Sequence, residues 1–239
     1  MTAAVLHLDR PVRYADGVRL QEALVEARQR DAIPDTVLFL EHHPVITLGR
    51  RGRDQFLLAS RDALARHGVD LVKSSRGGDV TYHAPGQLVM YPILKLGTAE
   101  ADSHGYLQNL EEIALRTAAS FGVEAFRRAG MNGAWTAHGK LAAIGFHLRR
   151  WVSMHGMSFN VDLDLAGFNL IVGCGLVGEK VTSLRAVLGD RAPTLTQVRD
   201  AMCGHFSEVC ARPVQVYKTG ASLPSALASA VAPILPQFA

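Results

Sequence analysis

Apolar and polar positions along this chain fall into two periods. Residues 16–31 set Val18, Leu24, Val25 and Ala27 among charged side chains, the spacing of an amphipathic helix that Pro34 stops. Residues 104–121 carry the fullest helical stripe, with Leu107, Leu110, Ile113, Ala114, Ala118 and Phe121 on one face. Residues 194–210 read as a third helix, opened by a capping box at Thr194 and Gln197 and lined by Leu195, Val198, Met202, Phe206 and Val209. A short helix is expected over 60–67, ended by Gly68. Residues 37–40 are apolar on both alternating faces, as in a central strand covered on two sides. Further strands are expected at 45–48, 69–72 and 88–94. From 122 to 162 the pattern becomes short β-prone pieces punctuated by glycine, at 123–126, 133–136, 141–146, 151–154 and 158–161, with a turn at His155-Gly156. That is the signature of a meander.

One stretch breaks both periods. Arg76-Gly77-Gly78-Asp79-Val80-Thr81-Tyr82-His83 crowds hydrogen-bonding side chains behind two adjacent glycines, and Ala84-Pro85-Gly86-Gln87 then turns into an apolar run. Paired glycines permit positive φ and close approach of backbone to a ligand. The stretch reads as a binding loop or as a hairpin turn with solvated side chains. Other candidates are sparser. Lys140 stands at the lip of the apolar run 141–145, placed either for a site or to snorkel to solvent. Small Gly145 and Gly156 leave room for a bound chain to lie against the backbone. Gly49-Arg50-Arg51-Gly52-Arg53 is either a cradle for a phosphate or carboxylate or a solvated loop. His42 and His43 lack a third ligand at a recognisable spacing, so no metal is expected. Cys174, between Gly173 and Gly175 after an apolar run, is exposed enough in its local sequence to be a nucleophile; the alternative is a buried, inert thiol. Cys203 and Cys210 fall within a helix and read as packing residues.

Composition narrows the class. At 239 residues the chain is one large domain or two small ones, and the absence of a linker or repeat favours one. Hydrophobic residues at 48% and charged residues at 20% supply an ordinary core, and a net charge of +3 is too small to announce a nucleic-acid binder, although a local basic patch could meet an acidic partner. Three cysteines without CxxC spacing fit a reducing cytoplasm better than a disulfide framework. No secretory signal and no membrane span are expected. Residues 1–217 are expected to form the catalytic domain, and 218–239, rich in Ala, Ser and Pro, a tail that is loosely ordered or strapped along the surface.

Over residues 36–211 the chain resembles the lipoyl(octanoyl) transferases. The resemblance rests on 41–49 (EHHPVITLG), 76–78 through Gln87, Tyr91-Pro92, 139–145 (GKLAAIG), 150–156 (RWVSMHG), Cys174-Gly175 and 181–184 (VTSL), in that order. It departs at Ala84 and Gly173, where Gly and Pro are expected. The resemblance implies a single α/β domain of α+β type, a mixed β-sheet flanked by helices as in the biotin and lipoate protein ligases. It implies the first step of protein lipoylation: an octanoyl group moves from octanoyl-acyl carrier protein to a lysine of lipoyl domains, those of 2-oxoacid dehydrogenases and the glycine cleavage H protein, with no cofactor and no nucleotide. Cys174 would carry the acyl thioester and Lys140 would assist it. Arg76, Gly77, Gly78, Asp79, Val80, Thr81, Tyr82 and His83, with Ala143, Ile144, Gly145, Gly156, Met157 and Ser158, would line the acyl and pantetheine site. Backbone amides near Gly77, Gly78 or Gly175 would be candidates for holding an oxyanion. Two rival functions remain, an ATP-dependent lipoate or biotin ligase and a non-catalytic module that holds acyl carrier protein; neither needs the cysteine.

Overall fold

A computed structural model describes residues 2–172 and 179–235. Among them, one eight-stranded mixed sheet and one three-stranded sheet form the frame. The strands of the large sheet are β1 (Ala3–His7), β2 (Thr36–Leu40), β6 (Gln87–Ile93), β7 (Phe126–Arg128), β8 (Met131–Thr136), β9 (Gly139–Arg149), β10 (Val152–Asn160) and β11 (Val214–Lys218). They lie in the order β11-β1-β2-β6-β10-β9-β8-β7. β11, β1 and β2 run parallel; every later neighbour is antiparallel.

The alternation of side chains along β2 shows how the sheet is covered. Val37 and Phe39 enter a core beneath α3 (Ser103–Ser120) and α5 (Leu195–Val209), meeting Leu110, Ile113, Val198, Met202 and Phe206. Leu38 and Leu40 face the opposite side, against Leu20 and Leu24 of α1 (Tyr14–Gln29) and Leu227 and Val231 of α6 (Ser225–Val231). The apolar run 37–40 is thus a stretch of strand with helices on both faces. The helices start where their sequences provide caps: Asp102 accepts the amides of His104 and Gly105, and Thr194 and Gln197 form the expected capping box.

The small sheet places β3 (Val45–Leu48) between parallel β4 (Asp70–Lys73) and antiparallel β5 (Val80–His83), with α2 (Arg61–Arg66) beside it. Ile46, Leu48, Leu64, Val80, Tyr82 and Ile171 fill its own core. Although only Ala84, Pro85 and Gly86 separate β5 from β6, the two strands belong to different sheets. Gly86 makes the crossing at φ 88°, and a Cβ there would stand 2.6 Å from the Asp162 backbone.

Several expectations change. The stretch 76–87 is not a continuous loop, since 80–83 is a buried strand. β10 runs unbroken through His155-Gly156 and stays in register with β9, so the expected turn is a kink inside one strand, with His155 at φ 61°. The strand expected at 123–126 forms at Phe126–Arg128. β1 and β11 were not expected at all. α6 buries Leu227 and Val231 against α1. A short helix, α4 (Leu184–Leu188), follows Ser183, whose hydroxyl accepts the Ala186 amide.

Candidate active site

β9 and β10 are joined through Arg150 and Trp151, both at positive φ, the geometry of a two-residue hairpin turn. Away from that turn, small side chains leave the hairpin open on one face, and the 76–83 segment lies across it. Gly145 is the point of contact: a Cβ there would stand 2.8 Å from the carbonyl oxygen of Gly77, and Gly77 donates its amide to Phe146 O at 2.9 Å. The space between segment and hairpin is a cavity of about 740 Å³, within the usual size of a small-molecule pocket. Arg76, Gly77, Gly78, Asp79, Val80, Thr81 and His83 line it on one side. Lys140, Ala143, Ile144, Gly145, Gly156, Met157 and Ser158 line it on the other.

Tyr82 is the exception among the candidates described. Side chains alternate along β5, so while Thr81 and His83 line the cavity, Tyr82 turns into the small core, edge-on to Phe168 at 5.5 Å. Cys174 falls outside the described residues, as do Gly173 and Gly175. The chain on either side of them is fastened to the cavity wall. Val172 donates its amide to Phe56 O, Lys140 N donates to Lys180 O at 2.8 Å, and Thr182 N donates to Lys140 O at 3.0 Å.

Lys140 does not snorkel. It is 8% exposed, with its ammonium 4.8 Å from the centre of the Trp135 ring, whose face also receives Arg128 at 4.5 Å. A desolvated cation over indole gains about 2 kcal/mol, which offsets part of the cost of burying it. Glu179 pairs with Arg128 at 2.7 Å, and that guanidinium holds its carboxyl below the ordinary value.

Arg76 acts on its own chain. Its guanidinium donates to Thr47 O, Thr47 Oγ1, Gly77 O and Asp79 O, clamping the glycine segment to β3. The amides of Gly49, Arg50 and Arg51 donate to Asp79 O, Arg76 O and Gly78 O. This removes the backbone amides of 49–51 from the cradle reading, because donors already bound to carbonyls cannot hold an anion, and leaves the guanidinium groups of Arg50 and Arg51 at the cavity. Gly77 is removed from the oxyanion candidates for the same reason. Gly156 also seats β6: a Cβ there would stand 2.4 Å from Met90 O.

A buried polar layer closes the inner end. Val12 O can only accept, so His42 Nδ1 donates to it, and the Tyr91 hydroxyl, 2.8 Å away, donates to His42 Nε2. Tyr14 stacks on His83 with ring centres 6.1 Å apart and hydrogen-bonds Ser74 through its hydroxyl. His155 Nε2 meets Ser75 Oγ at 3.0 Å. Burial lowers His42 to about 4 and His83 and His155 to about 3, with neighbouring imidazoles and Arg76 adding to the effect on the last two. All three are neutral at pH 7. His42 is committed to Val12 and Tyr91, and no cluster of three metal-ligating side chains occurs among the described residues.

The two remaining thiols are buried, in α5 and at its C-terminal end. Burial raises both, Cys210 to about 12. Among the described residues no helix is long and apolar enough to cross a membrane.

Tyr14, Tyr91, Gln87, His155 and Asn160 were not among the sequence candidates. The signal for Gln87 was available: it is an amide at the start of an otherwise apolar strand, where an unpaired polar group is costly.

Residues 13–207 match the family described as the Lipoyl protein ligase A/B catalytic domain. An octanoyltransferase of Syntrophotalea carbinolica is 46% identical over 196 residues, 82% of this chain and 89% of that one. One of Acidobacterium capsulatum is 45% identical over 223 residues, 87% and 90% of the two chains. Among solved structures, lipoate-protein ligase A bound with ATP superposes with a TM-score of 0.75 at 14% identity, covering 99% of this chain and 95% of that one. A bi-partite lipoate protein ligase from Thermoplasma acidophilum gives 0.74 at 17% identity, covering 99% and 92%. Biotin protein ligase from Aquifex aeolicus gives 0.52 at 12%, covering 87% and 69%. Those structures speak for the fold alone; the relatives above 40% identity and the family match over most of the chain place it more narrowly, and it belongs to the octanoyltransferases of the lipoyl protein ligase A/B family.

Proposed function

We propose that this acyltransferase moves an octanoyl group from a carrier-protein thioester to a lysine of a lipoyl domain by way of a thioester on Cys174. The observation that carries the reading is the attachment of the chain on both sides of that cysteine to the walls of one cavity, at Phe56 and at Lys140. In the first half-reaction the Cys174 thiolate attacks the donor thioester carbon. A new S–C bond forms, the carrier thiolate leaves, and it takes a proton from the Lys140 ammonium. In the second, the acceptor amine attacks the same carbon, the C–N bond forms, Cys174 leaves as thiolate, and the amine's proton returns to Lys140. The lysine ends as it began, and the ammonium stabilises the thiolate that a free thiol, titrating near 8.5, would otherwise form sparingly at neutral pH.

The donor is already activated, so transfer needs neither nucleotide nor magnesium. Exposed Arg50 and Arg51 at the cavity wall and Arg149 and Arg150 at the hairpin end form a basic approach for acidic carrier protein. The apparent KM for the carrier should therefore rise with salt.

Intact mass after mixing the protein with octanoyl-carrier protein and no acceptor tests the reading. The expected result is one octanoyl adduct, mapped to the peptide containing Cys174 and absent from Cys174→Ser. Lys140→Met should move the alkylation profile of that thiol to higher pH. Full transfer by Cys174→Ala would overturn the acyl-enzyme and leave direct attack on the carrier thioester.

A further inference from the structure

A buried hydrogen-bonded chain ends on an imidazole of the cavity wall. Thr182 O accepts from Asn160 Nδ2 at 2.9 Å, Asn160 Oδ1 accepts from Gln87 Nε2 at 2.9 Å, and Gln87 Oε1 lies 2.7 Å from His83 Nδ1. Gln87 Nε2 also donates to Tyr82 O. Two backbone carbonyls, Thr182 O at one end and Tyr82 O beside Gln87, determine the chain. Because Thr182 O can only accept, Asn160 must present its NH₂ there and its oxygen to Gln87. Because Tyr82 O and Asn160 Oδ1 both accept, Gln87 must present its NH₂ to them and its oxygen to His83. His83 Nδ1 therefore carries the proton, and Nε2 is a bare lone pair on a ring of the cavity wall.

We infer that Gln87 and Asn160 are positioning residues that hold His83 as the Nδ1–H tautomer, so that Nε2 accepts an N–H of the incoming lysine amine and aims its lone pair at the acyl carbon. The inference rests on the acyl-enzyme reading above and concerns its second half-reaction. Its chemistry follows from the surroundings. His83 lies among Tyr14, His42 and His155 with the Arg76 guanidinium nearby, a setting that disfavours an ammonium and admits a neutral amine. A ring lowered to about 3 takes up no second proton at neutral pH, so His83 orients the amine while Lys140 takes the proton. The same chain ends on Thr182, whose amide donates to Lys140 O, so one strap fixes the orienting imidazole and the proton carrier together.

Nitrogen-15 spectra of the imidazoles in the intact native protein test the tautomer without any variant. The expected spectrum shows His83 protonated at Nδ1 and bare at Nε2; a protonated Nε2 overturns the inference. Rapid-quench kinetics then separate the half-reactions. Gln87→Met should slow transfer from preformed acyl-enzyme to lipoyl domain at least tenfold, with acylation and the acceptor KM close to native. Gln87→Glu, which still accepts from Nδ1, should restore the Nδ1–H signature and part of the transfer rate. A Gln87→Met protein that melts lower but transfers at the native rate would make the network structural. Failure to form any Cys174 adduct in the native protein would instead count against the acyl-enzyme, leaving the tautomer result standing.

Discussion

The middle and the far end of the large sheet solve different problems with the same strand geometry. In β2 the side chains from Val37 to Leu40 are all apolar, and helices seal both faces. In β9 and β10 one face still meets α3, but the other carries Ala143, Gly145, Gly156 and Ser158 and is covered by the strand and loop that lead into β6. Where side chains shrink, backbone moves in, and the polar groups that arrive with it have to be satisfied individually. The closed region derives its stability from area and the open region from specific hydrogen bonds, so perturbations should separate them.

Acid should produce the largest effect, and it acts on the open region. His42, His83 and His155 titrate near 6.5 when unfolded and near 4, 3 and 3 when folded. Between about pH 6.5 and 4 the unfolded chain therefore binds more protons than the folded one, and stability rises with pH across that window. At pH 5 the loss is about 2 kcal/mol for each ring. Denaturant midpoints measured from pH 7 to 5 should fall steeply; a flat profile would show that the rings are not buried as neutral groups.

Phe39→Ala comes next, in the closed region, with a destabilisation of about 3–5 kcal/mol. Its folded fraction should turn over at the native rate, which urea titration paired with specific activity would show. Gly145→Ala inverts that signature. Its Cβ must displace the Gly77 carbonyl, so turnover should drop by roughly tenfold or more (about 1.4 kcal/mol on the barrier), with a smaller change in melting temperature. Equal losses of stability and rate in either variant would erase the distinction.

The smallest effect contrasts two imidazoles. His7 on β1 is 2% exposed, and among the described residues neither ring nitrogen finds a hydrogen-bond partner. Burial lowers it to about 4. His7→Leu should raise stability by about 1 kcal/mol, because an unsatisfied buried polar group costs more than the packing its ring provides. His83→Phe, by contrast, should cost activity first.

Most of this architecture could be read from the chain because its elements obey their periods strictly: 104–121 and 194–210 formed within a residue of expectation. β1 and β11 were missed for a physical reason. Each is a five-residue strand whose partners lie far away in sequence, and the exposed, mixed composition of Val214–Lys218 carries no local signal. The binding segment was legible from its glycines and crowded polar groups, but treating it as loop hid the alternation that turns Tyr82 away. What Arg76 does could not be read, since a guanidinium that grips its own chain and one that awaits a ligand look alike in sequence.

The parallel pairing of β1 with β11 also has a consequence for synthesis. Ala3 is in register with Val214, so this edge of the sheet cannot close until about 210 further residues have been made. At about 5–20 residues per second the ribosome needs roughly 10–40 s to span that interval. Throughout it β1 can pair with β2 while its other edge shows unpaired amides and carbonyls, an open template for a neighbouring nascent chain. The last strand therefore acts as a late seal, and a chain truncated before Val214 would be expected to aggregate although it contains the entire cavity.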